Sequence, residues 1–228
     1  MMKIHVKICL GATLVIALLV NSVSAGTITH PLDFPPGPAP TVSGPGLGLA
    51  SAPIVSTLSP NNDNQIGGGP TDNNIDVNLK RFDFNDYIDI EFTVLPSQGG
   101  VTEYRVVEFV DNNTGVPWNG YRLQLGFGTG PAFALAAGAF GLDFDAPGYD
   151  SAPTSSAMAI TSMTPDELVF SGFQGVGAQQ YNFRIDVPDL SGIGHFTLRQ
   201  SPVPVPEPGT MGLLAVALIG FIGLKRYR

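Results

Sequence analysis

The chain has 228 residues, among them 28 Gly and 20 Pro, and a net charge of −8 at neutral pH. Between its two terminal apolar segments lie all 19 carboxylates but only six basic residues, Lys80, Arg81, Arg105, Arg122, Arg184 and Arg199. So acidic a body excludes nucleic acid and anionic lipid as partners held by general attraction, and abundant Gly and Pro without charge runs predict turns and strands rather than disorder.

The chain opens with Lys3 and Lys7, an apolar run from Ile8 to Val20 and the small-residue end Val23-Ser24-Ala25. That order predicts a helical signal peptide over 1–25, with the mature chain starting near Gly26; an uncleaved signal anchor is the alternative. The single cysteine, Cys9, lies inside the apolar run with no lipobox before it. A secreted body without cysteine must be held by core burial or metal, which predicts a domain well above 100 residues.

Residues 26–74 read as a Pro/Gly/Asn-rich lead. A flexible spacer is expected over 31–52, a strand over Ile54 to Leu58, and a course along a sheet edge for the rest. From Ile75 the pattern changes. Ile88, Ile90, Phe92 and Val94 alternate with Asp89, Glu91 and Thr93; Tyr121, Leu123, Leu125 and Phe127 with Arg122, Gln124 and Gly126; Tyr181, Phe183, Ile185 and Val187 with Asn182, Arg184 and Asp186. Period two over four apolar positions marks strands with one buried and one wet face. Val101 to Val110, Glu167 to Phe173 and His195 to Arg199 are further strands, while Ala132 to Phe140 reads equally as strand or short helix. With turn signals between the runs, the expected fold is all-β, an antiparallel β-sandwich over 75–200. The wet outer faces argue against a parallel sheet.

Asn112-Asn113-Thr114-Gly115 predicts a tight turn with Gly115 at positive φ. It precedes Trp118, the sole tryptophan, and Tyr121. The stretch resembles an asparagine-threonine-glycine, tryptophan, tyrosine pattern in β-sandwich bodies of other exported, surface-sorted bacterial proteins. Trp118 is expected to plug the sandwich core; the rival role is that Trp118 and Tyr121 stack on a sugar ring. Carboxylates are the abundant reactive group. Asp143, Asp145 and Asp150 are the candidate calcium ligands, with further acidic loops at Asp83, Asp86 and Asp89 and at Asp63, Asp72 and Asp76. No zinc-type His or Cys spacing, nucleophile elbow or phosphate loop is present. A non-enzymatic protein without a resident cofactor is therefore expected; a glycosidase pair of carboxylates distant in sequence is the catalytic alternative.

The chain ends with a Pro-rich linker over 201–209 and an apolar segment with a basic tip over 210–228. Met211 to Leu224 carries no charge and no Pro. As a helix it spans about 21 Å, short of a roughly 30 Å hydrocarbon core, but Lys225, Arg226 and Arg228 follow it as a cytoplasmic stop would. A short C-terminal transmembrane helix is expected. Pro206-Glu207-Pro208, the apolar span and the basic cluster together resemble the PEP-CTERM sorting signal. The resemblance implies export in a Gram-negative bacterium, with signal peptidase and exosortase as processing partners and a cut near Glu207. It also implies an inner-membrane intermediate, then the cell surface or exterior, in association with extracellular polysaccharide and biofilm matrix. The alternative is an ordinary single-span anchor. The expected function is a non-catalytic structural or interaction protein; the alternative is a carbohydrate-binding module using Trp118 and Tyr121 or calcium.

Overall fold

The computed structural model describes residues 24–31, 36–58, 73–98, 100–145, 152–190 and 192–205. Among them the alternating sequence forms fourteen strands. These are β1 (Ser24–Ile28), β2 (Thr41–Ser43), β3 (Leu47–Ala50), β4 (Ile54–Ser56), β5 (Asn74–Phe82), β6 (Ile88–Gln98) and β7 (Thr102–Asn112). They continue with β8 (Trp118–Phe127), β9 (Ala134–Leu135), β10 (Thr154–Ser155), β11 (Met158–Thr164), β12 (Glu167–Gln174), β13 (Gly177–Val187) and β14 (His195–Pro204). The ambiguous stretch from Ala132 resolves into the two-residue β9 between two single 3-10 turns.

One sheet runs β1-β6-β14-β8-β12-β11, with β2 also on β6 and β9 on β8; the other runs β10-β13-β7-β5-β3, with β4 also on β5. The predicted rows Ile88, Ile90, Phe92 and Val94 of β6 and Tyr181, Phe183, Ile185 and Val187 of β13 are at most 2 % exposed. They form the apolar core, and the fold is the expected all-β sandwich. One strand pair departs from the antiparallel rule. β5 and β7 are parallel, with Ile75 opposite Val106. The chain leaves their sheet along β6, in the other sheet, and returns. That is the crossover parallel neighbours require.

Among the described residues 36–52, the lead is not the spacer expected over 31–52. β1 and β2 pair along one edge of β6, β3 and β4 along the outer edge of β5, so the lead seals one edge of each sheet. Unpaired strand edges invite association, and covering them removes that hazard. The chain switches sheets at Gly44-Pro45-Gly46, where Gly46 N–H donates to the Tyr87 carbonyl at 3.0 Å. Gly44 has φ 129°, and a Cβ at Gly46 would collide with the Asp86 carbonyl. Sequence reading missed this because loop-like composition is also what a tight edge crossing needs.

The expected linker over 201–209 likewise begins inside the fold. β14 continues to Pro204, pairing Ser201, Pro202 and Val203 with Arg122, Tyr121 and Gly120 of β8. Pairing with β6 stops at Gln200. Beyond it one side of β14 has no strand partner among the described residues, and a strand with such a side tolerates prolines that cannot donate. The outer faces are also drier than expected. Asp89, Arg184 and Asp186 are buried, and residues 130–145 bond to strands of both sheets. Gly130 N–H donates to Asp89, and Asp143 exchanges backbone hydrogen bonds with Asp186.

Candidate functional site

The turn before β8 is organised by Asn112. Its Nδ2 donates to the carbonyls of Val116 (2.9 Å) and Gly175 (3.3 Å), and its Oδ1 accepts from the Thr114 backbone N–H (3.1 Å) and hydroxyl (2.7 Å). Gly115 takes the expected positive φ, 77°. The turn delivers Trp118 into the end of the core. Its indole N–H donates to Asn85 Oδ1 at 2.9 Å, and its ring lies edge-on to Phe82 and parallel to Tyr121, with centroids 5.3 and 6.0 Å away. Trp118 and Tyr121 are both 0 % exposed. Stacking on a sugar needs an open ring face, and neither ring has one. The sugar-platform role for these two residues therefore gives way to the core plug.

Behind Tyr121 lies a polar group inside the core that composition alone does not signal. Lys80 of β5, Glu108 of β7 and Gln200 of β14 are all 0 % exposed. Lys80 Nζ donates to Glu108 Oε2 at 2.7 Å, and Gln200 Nε2 donates to the same oxygen at 2.9 Å. The Tyr121 hydroxyl donates to Gln200 Oε1 at 2.7 Å. Burial pulls the Lys80 ammonium below its ordinary pKa, against the opposing pull of Glu108. Burial, and the charge of Glu108 next, pushes the Tyr121 phenol far above its ordinary value.

The acidic loops divide. Asp83 accepts from Arg81 and Asn113, Asp86 caps the Tyr87 N–H, and Asp89 holds Arg199 through two hydrogen bonds of 2.7 and 2.8 Å. They are structural links and do not converge. Of the candidate ligands, Asp145 lies in a buried trio with Glu103 of β7 and Asp186 of β13, one oxygen of each within 4.8 Å of the others. Arg184 pairs with Glu103 at its side. Asp143 joins Asp186 through the backbone, and Asp150 lies outside the described residues. Three carboxylates supply three oxygens if each binds through one and six if each binds through both, against the six to eight calcium takes. Glu103 and Asp186 escaped sequence reading because each occupies an outward position in a strand, where an acid is expected to be solvated. Close by, Arg105, Thr154, Gln180, Asn182 and Arg184 line a cavity of about 430 Å³.

A protein-family model, the PEP-CTERM protein-sorting motif, matches residues 204–226. The match starts on the last residue of β14 and includes Pro206, Glu207, Pro208, Lys225 and Arg226, while Arg228 lies just beyond it. Residues 206–228 lie outside the described residues, as do residues 1–23 of the expected signal peptide. Among the described residues no helix is long and apolar enough to cross a membrane. No curated protein and no solved structure matches the chain. The chain carries a PEP-CTERM sorting signal. Such a signal implies an exported protein, anchored at the membrane, processed by exosortase and then secreted or displayed at the cell surface.

Proposed function

We propose that the chain is a structural or interaction protein of the cell surface or extracellular matrix, without catalysis of its own, serving the exopolysaccharide or biofilm layer. One observation carries this reading: the sorting signal begins where β14 ends. A cut near Glu207 would then release or display the sandwich with every described strand intact. A strain lacking the protein is expected to build a less cohesive matrix, restored by the full chain but not by a chain ending at Val205. Full restoration by the shortened chain, or an unaltered matrix in its absence, would sink the proposal.

A second reading, a glycan-binding module, rests on the cavity beside β13, where two arginines meet Asn182, Gln180 and Thr154. That lining suits a carboxylated sugar, since guanidinium groups grip carboxylates in two-point fashion. Calcium at the neighbouring carboxylates would make the binding calcium-dependent. Titration with uronic-acid oligosaccharides, with calcium and with chelator, separates the two readings. Binding abolished by Asn182→Ala supports the module, and flat titrations in both conditions remove it.

A further inference from the structure

An ion pair in an apolar core rarely repays its desolvation, and replacing it with hydrophobic side chains is often neutral or stabilising. Lys80, Glu108, Gln200 and Tyr121 therefore call for a reason beyond packing. Their arrangement brings together an amine, a proton acceptor and a primary amide. The amine and the amide meet on one oxygen, Glu108 Oε2, and the amide carbonyl takes a hydrogen bond from a phenol. The second carboxylate oxygen, Glu108 Oε1, is buried and has no hydrogen-bond partner among the described residues. We propose that Lys80 and Gln200 join spontaneously after folding in an isopeptide bond, with Glu108 as proton shuttle and Tyr121 as the group that polarises the amide.

The chemistry balances. Glu108 takes a proton from the Lys80 ammonium, leaving a neutral amine and a neutral carboxyl, the pair that a dry interior favours over two charges. Burial already depresses the Lys80 pKa, and the raised Tyr121 pKa keeps the phenol a donor. The Nζ lone pair attacks Gln200 Cδ, and the Tyr121 O–H supports the charge that develops on Oε1. Glu108 gives its proton to Nε2 and receives one from Nζ. The Cδ–Nε2 bond breaks, ammonia leaves, and an amide joins the two side chains. No oxidant, metal or further reactant enters, and the fold supplies the proximity.

The product would tie β5 in one sheet to β14 in the other. β14 is also the strand from which the sorting tail departs. A pull on the tail would be carried through Gln200 into the opposite sheet. The single cysteine of the chain lies at position 9, inside the expected signal peptide, so no disulfide is available to the body.

The test is tandem mass spectrometry of peptides from the denatured, protease-digested full chain purified from its host. The expected result is a branched peptide joining Lys80 to Gln200, one ammonia lighter than its two parts, with no tryptic cleavage after Lys80. Linear peptides of unaltered mass, cut after Lys80, would overturn the proposal. A link between Lys80 and Glu108 with loss of water would overturn Gln200 as the acceptor. Glu108→Gln is expected to abolish the branched peptide in chains that retain the native circular dichroism spectrum, and a link that persists there removes Glu108 from the reaction. The wild-type measurement decides the main point even if every variant fails to fold.

Discussion

Trp118 concentrates several physical demands on one side chain. It fills the core end, stacks beside Tyr121 and uses its indole N–H on Asn85. Removing a buried aromatic costs about 3–5 kcal/mol, so Trp118→Ala is expected to lower the urea midpoint sharply. As the sole tryptophan it also reports on its own burial: native fluorescence should be blue-shifted, resist acrylamide and ignore added glycans. A red-shifted native spectrum, or a change on adding sugar, would contradict the core-plug assignment. Tyr121 and Tyr181 carry the pH dependence. Burial raises both phenols above their ordinary value of 10.0. The unfolded chain therefore loses these protons first, and the stabilisation is fully present below pH 10.0 and falls as pH rises above it. The slope is about 1.4 kcal/mol per pH unit for each phenol. In an alkaline titration, phenolate absorbance from these two rings should appear together with loss of the β-sheet signal, and ionisation before unfolding would refute their burial. At this scale the sequence was a partial guide. It placed Trp118 and Tyr121 correctly on the core side, but it concealed Lys80. Ile75 and Val77 point inward, and the register then shifts between Val77 and Lys80. That β-bulge flips the side-chain parity, so Lys80 and Phe82 turn inward in place of Leu79.

At the scale of elements, the long strands were legible and the short ones were not. β6, β8 and β13 announce themselves by alternation over four apolar positions, a signal that comes from one face packing on a core. β2, β3 and β4 have three or four residues each, and their role is to seal edges rather than to bury a row. Their evidence lies in the backbone, at Gly44 and Gly46, and not in hydropathy. Gly46 is where the edge crossing is sensitive to substitution. A side chain there meets the Asp86 carbonyl, and overpacking of this kind costs about 1–3 kcal/mol. Gly46→Val should lower the urea midpoint with an unchanged slope. A neutral substitution would return the lead to the status of a spacer. The same reasoning explains the buried Asp89, Arg184 and Asp186. Alternation gives the phase of a strand, but the partners of these residues come from distant parts of the chain, Gly130 and Arg199 at Asp89, Glu103 at Arg184 and Asp143 at Asp186, and no local pattern encodes them.

At the scale of the whole molecule, the sorting signal and the sandwich meet without a gap. The last described strand ends at Pro204, and the matched motif begins there. The signal was readable from the ordered sequence of a Pro-Glu-Pro hinge, an apolar run and a basic tip, because membrane export is driven by composition and order rather than by tertiary contacts. Function within the exported layer was not readable to the same depth, since the acidic loops became clear only once folding brought Asp145 to Glu103 and Asp186. An acidic sandwich is thus expected to be exported and then parted from its tail. The intact mass of the protein recovered from the cell surface or medium tests it most directly. The account predicts a chain that begins near Gly26 and ends near Glu207; recovery of the protein with residues 208–228 still attached, or only from the cytosol, would contradict it.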